Sequence, residues 1–535
     1  MSFVEAHTGA GSNPPRLSAL FLAKFDKKIG YTVAWKRSAI DIPIVPLDGA
    51  VEFKSLPSGL HAVKDDLVYF VHEGHAGLSA FCNAPASAAE RNATFVSVGI
   101  LVPLNQGRLG RSWLHAERLQ SLASALAKDP ENTAPLEDFW REQSQHTDST
   151  STQLSPDQQR GYRRRRALST LTAALPPDQS LPEFHPARSI VHYVDVFGPL
   201  VFRLQEAALL RKRILFVGAP PVRASCEFVY NLSILASLPN AAREHLPSGS
   251  DHLSRFRALF CLGTHDIPLI EKLQREDQGQ HPHSIEFPSP GWVSCSTDEI
   301  MAAKRQLYDV IVEIPHSYDA PPEQRRWPTI RTSDGTQVKA SQRDVQRYKL
   351  LHHELWKYRH NVSDATGESG LEDDTRPLVR KDSEEAEEEF NETYDESAVE
   401  PMTWSRLAYL GFMWWASAGE RDAYTTEERE TDRELLGHLS DYQDGIHTAV
   451  IAAFHRWTVI LFKHVARLLD AAESERGSPI SELVIDREEL SKMGLDTWSE
   501  TDRVFIQDLV WLYFGVRADV QGAALECCGV RIPVC

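Results

Sequence analysis

Cysteine and the short motifs of covalent catalysis are scarce in this sequence. It has seven cysteines in 535 residues, and none of them form a C-x-x-C pair. Such sparse, irregular spacing predicts reduced thiols of a cytosolic protein rather than disulfides or a zinc site. Neither the G-x-S-x-G turn of hydrolases nor the H-E-x-x-H helix of metalloproteases occurs. We therefore expect no covalent catalysis, no cofactor and no metal.

Positive charge is also in short supply. The 57 lysines and arginines are outnumbered by 75 aspartates and glutamates, so the formal net charge is -18. Binding to nucleic acid needs a concentrated basic surface, and the composition argues against that class of partner.

No apolar stretch is both long and uninterrupted enough to cross a membrane, which takes about 20 residues. Residues 407–418 are too few, and residues 448–469 are interrupted by histidine, lysine and arginine. Both stretches predict buried helices, and we expect no transmembrane segment. Residues 1–16 lack the basic start and apolar run of a signal peptide and predict a disordered tail.

Residues 17–128 have the pattern of an antiparallel sheet covered by helices. The opening segment LSALFLAKFDKKIGYTVAWKRS consists of two apolar runs joined by a turn, and its second half alternates as a strand does. Further short apolar runs predict strands at residues 66–72, 76–82 and 93–104. A helical spacing then follows Ser112, a candidate N-cap. This order predicts an α+β lobe.

Residues 129–186 are rich in proline, serine and glutamine, lack a periodic pattern and predict a linker. The linker contains four consecutive arginines, Arg163, Arg164, Arg165 and Arg166. Two interpretations remain open: a solvated basic run, or a run that attracts anionic lipid at about 1 kcal/mol per arginine. In the second case, phosphorylation of Ser169 or Thr170 would weaken the attraction.

Helical and strand patterns alternate between residues 187 and 327, which predicts a doubly wound α/β lobe with a parallel sheet. The run ILFVG (214–218) is a short, continuous apolar strand of the kind that parallel sheets use. The preceding helix is predicted to end on three cations that begin at Arg211, where the helix dipole favours them. Ser296 and Glu299 have the spacing of a capping box.

Residues 328–535 predict a mainly helical region. It is interrupted by KDSEEAEEEFNETYDES (381–397), a run of like charge that repels itself and stays solvated. We predict a disordered acidic insertion at about residues 364–399. The predicted fold class is therefore α/β plus α+β, with a helical C-terminal region, in several domains because single cores rarely exceed roughly 300 residues.

The segment ILFVGAPPVRAS has the strand, glycine, turn and helix of a phosphate-binding loop. It lacks the second glycine and the lysine of G-x-x-x-x-G-K-[ST], and the dinucleotide pattern G-x-G-x-x-G fails as well. Pro220 and Pro221 also remove two backbone N–H donors that would hold a phosphate. We therefore predict a structural turn rather than a nucleotide site.

Two arginines, Arg108 and Arg111, precede the predicted helix start in GRLGRSWLHAE. A cation there meets the positive end of the helix dipole at a cost of about 0.3–1 kcal/mol, so it usually has a partner. Two interpretations remain open: solvated loop arginines, or side chains that face acidic groups on another protein.

Four phrases are long enough to compare with known families: FLAKFDKKIGYTVAWKRS, VEFKSLPSGLHAVKDDLVYFVHEGHAGLSAF, ERNATFVSVGILVPLNQGRLGRSWLHAE and ILFVGAPPV. They resemble the DENN-domain proteins, specifically a fungal-type member of the LCHN-like branch. The resemblance is dense over residues 17–120, continues in pieces over 187–315 and is thinner over 328–357. It implies a longin-like N-terminal lobe, a central α/β lobe and a helical C-terminal part.

The resemblance also implies a function, namely binding of a Rab-type small GTPase in the cleft between the first two lobes and promotion of GDP release. This activity breaks no covalent bond, and the family offers no single catalytic side chain to name. Two alternatives stay open: a scaffold that binds GTPases or vesicle proteins without exchange, and a GTPase-activating protein for which Arg108 would supply the arginine. The expected location is the cytoplasm, with peripheral recruitment to membranes.

Two groups of residues are predicted to face the GTPase. The first comes from the N-terminal lobe, where ordinary exposed strand charge is an alternative interpretation for its first two members. The second lies at the carboxyl end of a strand, where open α/β sheets usually bind ligands. The groups are Lys36, Arg37, Arg108 and Arg111, and Gly218, Pro220, Pro221 and Arg223.

Overall fold

The computed structural model describes residues 14–26, 28–39, 46–85, 93–145, 181–247, 249–279, 291–321, 324–366, 394–416, 426–437, 439, 445–521, 524–527 and 530–533. Several predictions fall outside these ranges. They concern most of the N-terminal tail, the arginine run with Ser169 and Thr170, and residues 367–393 of the acidic insertion.

The N-terminal strands form an antiparallel half-sheet, which confirms the predicted hairpin and the three strands after it. The strands are β1 (Ala19–Asp26), β2 (Gly30–Ser38), β3 (Asp65–His72), β4 (His75–Pro85) and β5 (Ala93–Pro103). Their order is β3-β4-β5-β1-β2. Neighbouring residues of β1 point to opposite faces of the sheet. Leu20 packs in the main hydrophobic core, whereas Phe21 packs with Val51 in a smaller hydrophobic cluster. Both faces are therefore covered.

The next strands form a second half-sheet in which four strands are parallel, as the alternating pattern predicts. They are β6 (Arg213–Gly218), β7 (Arg257–Cys261), β8 (Trp292–Ser296) and β9 (Val310–Ile314), with β10 (Thr329–Thr332) antiparallel at the edge. β7 also pairs with β3 of the first half through Phe70 and Phe260. Ten strands of the described residues therefore form one sheet, in the order β10-β9-β6-β8-β7-β3-β4-β5-β1-β2.

Helices cover both faces of this sheet. They are α1 (Val51–Ser55), α2 (Ala116–Lys128), α3 (Ala134–Gln145), α4 (Ile190–Phe197), α5 (Leu200–Leu209), α6 (Val222–Leu235), α7 (Asn240–Arg243), α8 (Ile267–Gly279) and α9 (Glu299–Ala303). Neighbouring β6 residues point to opposite faces: Phe216 packs with Phe228 of α6, and Leu215 packs with Ile270 of α8 and Met301 of α9. Short 3-10 helices include Leu60–Ala62, Leu104–Gln106, Ser112–His115, Pro186–Ser189, Ser250–Leu253, Thr264–Asp266, Arg305–Leu307 and Glu396–Ala398.

The predicted linker begins with an ordered helix. Helix α3 lies within residues 129–186, and its Leu136 and Phe139 are buried in the main core. The two buried residues of α3, Leu136 and Phe139, are only one helical turn apart. Such a short repeat does not stand out as a periodic pattern in a polar segment.

Three local predictions at helix ends are wrong or incomplete. Ser112 does not cap α2, because it is buried in a 3-10 helix and α2 begins at Ala116. Ser296 does not open a capping box, because it is the last residue of β8 and α9 begins three residues later. Arg211 lies beyond the end of α5 with φ 55°, yet its buried guanidinium donates to the carbonyls of Ala208 and Ala236, at 2.8 and 3.0 Å.

The C-terminal region is mainly helical, as predicted, with small strand pairs that the sequence pattern did not indicate. Its helices are α10 (Gln342–Thr366), α11 (Trp404–Ala416), α12 (Thr426–Leu436), α13 (Ile446–Arg476), α14 (Arg487–Lys492) and α15 (Glu500–Phe514). The strands β11 (Glu482–Ile485) and β12 (Arg517–Val520) pair in parallel, and β13 (Ala524–Cys527) and β14 (Val530–Pro533) pair antiparallel.

The two apolar stretches differ in burial. Among the described residues, α13 is long and apolar enough to pass for a membrane span, but 61% of its most apolar window is buried inside the protein. It packs as a core helix, as predicted. The prediction that residues 407–418 are a buried helix is wrong, because α11 exposes Leu407, Phe412 and Trp415. Apolar composition alone does not distinguish a core helix from an exposed apolar face.

Arg203 on α5 holds the C-terminal region to the α/β half through a buried ionic cluster. Its guanidinium is 2.7 Å from Glu206, 3.0 Å from Asp344 of α10 and 2.5 Å from Asp502 of α15. Burial raises the pKa of Asp502 to about 7, against the effect of Arg203. A single cation thus compensates carboxylates from three separate helices.

Arg203→Ala is expected to lower the free energy of unfolding by about 3–5 kcal/mol, because it leaves several carboxylates buried without their cation. Urea titration followed by circular dichroism measures the change. The control is Arg503→Ala, which removes the ion pair of a half-buried arginine with the exposed Glu500 and is expected to cost no more than about 1 kcal/mol. Equal losses in the two variants would contradict this role for Arg203.

Candidate partner surface at the junction of the two half-sheets

A buried ion pair ties the two half-sheets together on one face. Lys54 of α1, in the antiparallel half, pairs with Asp266 of the parallel half, and both side chains are buried. The Lys54 Nζ atom also donates to the carbonyl of Val71, at 3.0 Å. Asp266 in turn accepts the N–H of Gly263, at 3.1 Å. Because both charges are satisfied, the contact fixes α1 against the loop after β7.

A second carboxylate belongs to the antiparallel half and binds the parallel half. Asp66 of β3 accepts the N–H groups of Val222 and Arg223, at 2.5 and 3.1 Å, and so caps the N-terminus of α6. It also accepts the N–H of Leu67, at 2.8 Å. A helix N-terminus attracts an anion, and here the anion is supplied by the chain itself. The predicted structural turn at ILFVGAPPVRAS is therefore supported by the position of Asp66.

Burial raises the pKa of Asp66 to about 6, although the three N–H groups and Arg223 act in the opposite direction. The folded protein consequently binds a proton at Asp66 in a pH range where the unfolded chain does not. The contribution of Asp66 to stability is complete below its ordinary pKa of 3.8 and is lost as the pH rises through 6.

Aromatic rings form a row that begins on the antiparallel half and ends on the parallel half. The ring centroids of Phe25 and Tyr31 are 5.4 Å apart, those of Tyr31 and Phe53 are 6.5 Å apart, and those of Phe53 and His265 are 3.8 Å apart. Ile29, at the turn between β1 and β2, is 78% exposed. We call Phe25, Ile29, Tyr31, Phe53 and His265 the junction surface.

The junction surface has the properties of a protein-binding site. Phe25, Ile29 and His265 are exposed, and Tyr31 and Phe53 are half-buried. Rigid aromatic and apolar side chains contribute most of the binding energy in protein interfaces. Lys54, which forms the buried ion pair with Asp266, is next to Phe53 in the chain. The ion pair therefore holds the backbone that carries the Phe53 ring.

The predicted turn group lies at the same junction. Gly218 ends β6, and Pro220 packs against Gly59 of the antiparallel half, where an added Cβ would lie 3.1 Å from the Pro220 Cγ atom. Pro221 is exposed just before α6. The Arg223 side chain donates to Glu227, at 2.8 Å, and its guanidinium lies 5.6 Å from the Phe184 ring centroid.

Lys36 and Arg37 of β2 both have partners within the chain. Lys36 pairs with Asp48, just before α1, and Arg37 pairs with Glu137 of α3. Arg37 also lies over the Trp35 ring, 5.4 Å from its centroid. These contacts favour the interpretation of ordinary strand charges, which the sequence left open.

The interpretation of Arg108 as a side chain that faces another protein is wrong. The Arg108 side chain is half-buried, and its guanidinium donates to the carbonyl of Ser233, at 2.8 Å, and to the hydroxyl of Ser237, just after α6. Burial lowers the pKa of Arg108 to about 10. The same position removes it as an inserted arginine for GTP hydrolysis. Arg111 is half-buried with φ 62°, and burial lowers its pKa as well.

Sequence reasoning missed Lys54, Asp66 and Asp266, which hold the junction, and the aromatic row itself. One signal was visible: the phrase KDDLVYF places two aspartates at the start of an apolar strand, and the second of them is Asp66. Its partners are 156 and 157 residues away, so the pairing itself has no local signature.

Asp66→Asn is expected to remove a pH dependence of stability. Relative to the variant, the free energy of unfolding of the wild-type chain should fall by up to about 3 kcal/mol between pH 4 and pH 7, as the raised pKa requires. Urea titrations across this range measure the difference. Asp65→Asn, at the neighbouring exposed carboxylate, is the control and should parallel the wild type. If Asp66→Asn also parallels the wild type, the buried carboxylate does not have this role.

Comparison with known proteins identifies the family. The model of DENN domain-containing protein 11 matches residues 20–323, and a model described as a domain of unknown function, DUF4484, matches residues 399–481 and 466–533. The N-terminal match runs from β1 to β9 and includes the junction surface. It confirms the resemblance to DENN-domain proteins.

Individual relatives agree with the family match. DENN domain-containing protein 11 of Danio rerio is 30% identical over 306 residues, which cover 56% of this chain and 54% of the relative. The Xenopus laevis protein of the same name is 30% identical over 301 residues, covering 56% and 59%. The chain thus spans little more than half the length of these relatives. Uncharacterized protein ANR2 of Saccharomyces cerevisiae is 23% identical over 550 residues, covering 96% and 94%. Because the first model matches more than half of its residues, this chain belongs to the DENN domain-containing protein 11 family.

Proposed function

We propose that this chain is a guanine nucleotide exchange factor that promotes GDP release from a Rab-type small GTPase. DENN-domain proteins are generally linked to this activity, which supports the proposal at the level of the family. The single structural observation that carries it is the junction surface, because its rings extend over both half-sheets.

The finer architecture belongs to the same proposal. The antiparallel half with its helices would be the longin-like lobe, the parallel half the central DENN lobe, and residues from about 328 onward the C-terminal lobe. The GTPase would then contact the first two lobes at once, and the turn group from Gly218 to Arg223 would lie beside the junction surface.

Exchange needs differential binding rather than a catalytic group. A factor that binds the empty GTPase better than the loaded one weakens nucleotide binding to the same degree. A thousandfold faster release requires the barrier to GDP dissociation to fall by about 4 kcal/mol. Displacement of the loops that hold magnesium and phosphate can supply it. Apolar contacts at the junction surface are suited to this displacement, because they need no matching charge on the GTPase.

Exchange also requires that the junction keep its shape when the GTPase binds. A surface that deformed around the loaded GTPase would bind both states equally and would accelerate nothing. The ties from Lys54 to Asp266 and from Asp66 to α6 oppose such deformation. We further propose that the protein acts in the cytoplasm and is recruited to the surface of membranes, where Rab-type GTPases reside.

A scaffold that binds GTPases without exchange would use the same surface. The two functions differ in their preference for the nucleotide state of the GTPase. A release assay therefore separates them, because only an exchange factor increases the rate at which bound GDP leaves.

Release of fluorescent GDP from a panel of Rab-type GTPases tests the proposal. We expect the purified chain to accelerate release from at least one of them. Ile29→Asp is expected to reduce that stimulation by roughly tenfold or more, because it places a charge in an apolar contact. The matched control is Val484→Asp, at an exposed apolar residue of β11 remote from the junction surface in the chain.

The variants also separate a local effect from a general one. Because both residues are exposed, the melting temperatures of both variants should remain that of the wild type. The proposed site is rejected if Ile29→Asp and Val484→Asp exchange nucleotide equally well. No acceleration with any GTPase, together with stable binding, would indicate the scaffold.

A further inference from the structure

Helix α11 presents an apolar face to solvent. Trp404 is 87% exposed and Trp415 is 73% exposed, and Leu407 and Phe412 between them are exposed as well. The spacing of these four positions follows the helical repeat, so they lie along one side of the helix. We call these four residues the α11 apolar face. It is the opposite of what a core helix shows, since core helices bury their large apolar side chains.

The other side of α11 is attached to the protein body. Arg406 pairs with Asp496, at 2.8 Å, and the side chains of Tyr409 and Trp498 contact each other with ring centroids 5.4 Å apart. Asp496 also accepts the N–H of Arg343, at 3.3 Å. The polar side of the helix is therefore occupied, and the apolar face is held outward.

The composition of this face fits a lipid surface. Tryptophan is enriched where proteins meet the boundary between lipid and water, because its ring is apolar and its N–H is polar. A 13-residue helix is about 20 Å long, which is too short to cross a bilayer of about 30 Å. A helix of this kind lies in the plane of the boundary, with its apolar face toward the acyl chains.

The charges around α11 decide which surface it fits. Arg343, which binds Asp496 beside α11, also pairs with Glu428 and Asp432 of α12. Helix α12 also exposes three glutamates and one arginine, so its exposed charge is negative: Glu427, Glu430, Glu434 and Arg433. These charges, within a chain of net charge -18, repel anionic lipid.

We infer that the α11 apolar face inserts into the surface of a neutral lipid layer and anchors the protein peripherally to a membrane. This site shares no residue with the junction surface or with the arginine run at residues 163–166. It requires no positive charge, and its affinity decreases when anionic lipid is added.

Flotation of the full chain with vesicles of dioleoylphosphatidylcholine tests the inference. The variant Trp404→Ser/Phe412→Ser/Trp415→Ser is expected to reduce the fraction bound to vesicles roughly tenfold or more, since each substitution removes a large apolar side chain from the lipid. The control is Val484→Ser/Val504→Ser/Trp511→Ser, at three exposed apolar residues elsewhere. It should float like the wild type.

Three further measurements make the outcome decisive. Phosphatidylserine in the vesicles should lower the bound fraction, and a rise would overturn the assignment to neutral lipid.

Sedimentation of the chain without lipid should show no dimer that the α11 variant abolishes, because such a dimer would make the face an interface between copies. If the triple variant loses its melting transition, Trp404→Ser alone replaces it. Flotation of the α11 variants equal to that of the wild type would overturn the inference.

Discussion

Two buried carboxylates reach in opposite directions across one strand pair and fix the junction between two half-sheets that share one hydrophobic core. Strands β3 and β7 share a single residue pair, Phe70 and Phe260, which alone would hold two half-sheets weakly. Asp66 extends from the antiparallel half to the N-terminus of α6, and Asp266 of the parallel half receives Lys54. The halves therefore behave as one sheet, and the aromatic row that spans them has a fixed shape.

The same physical device recurs at the C-terminal end of the structure. Arg203 binds carboxylates from three helices. In the same way, Asp66 and Asp266 each bind groups from the other half of the junction. Loss of Arg203 would leave these carboxylates buried without a cation, so the cluster links α5, α10 and α15. The α11 helix lies outside this scheme. Its polar side is bound to Asp496, and its apolar face has no counterpart in the core.

Sequence patterns predicted the elements whose causes are local. The alternation in β2 and the short apolar run of β6 each follow from residues within one strand, and both were identified. The contacts of Arg108 were not, because Ser233 and Ser237 lie 125 and 129 residues away. Burial of α11 was predicted wrongly because tryptophan, phenylalanine and leucine occur both in cores and on apolar faces. Family resemblance is the basis of the proposed function, whereas the aromatic row emerged only when β1, α1 and the loop after β7 were placed together.

The proposed exchange activity requires a preference for one nucleotide state of the GTPase, and that preference is directly measurable. The affinity of the purified chain should be determined for one Rab-type GTPase that is nucleotide-free, loaded with GDP, or loaded with a non-hydrolysable GTP analogue. An exchange factor must bind the nucleotide-free form most tightly, because the factor and the nucleotide weaken each other's binding to the same degree. Tightest binding to the GTP-loaded form, or no binding to the empty form of any GTPase in a comprehensive set, would contradict the account.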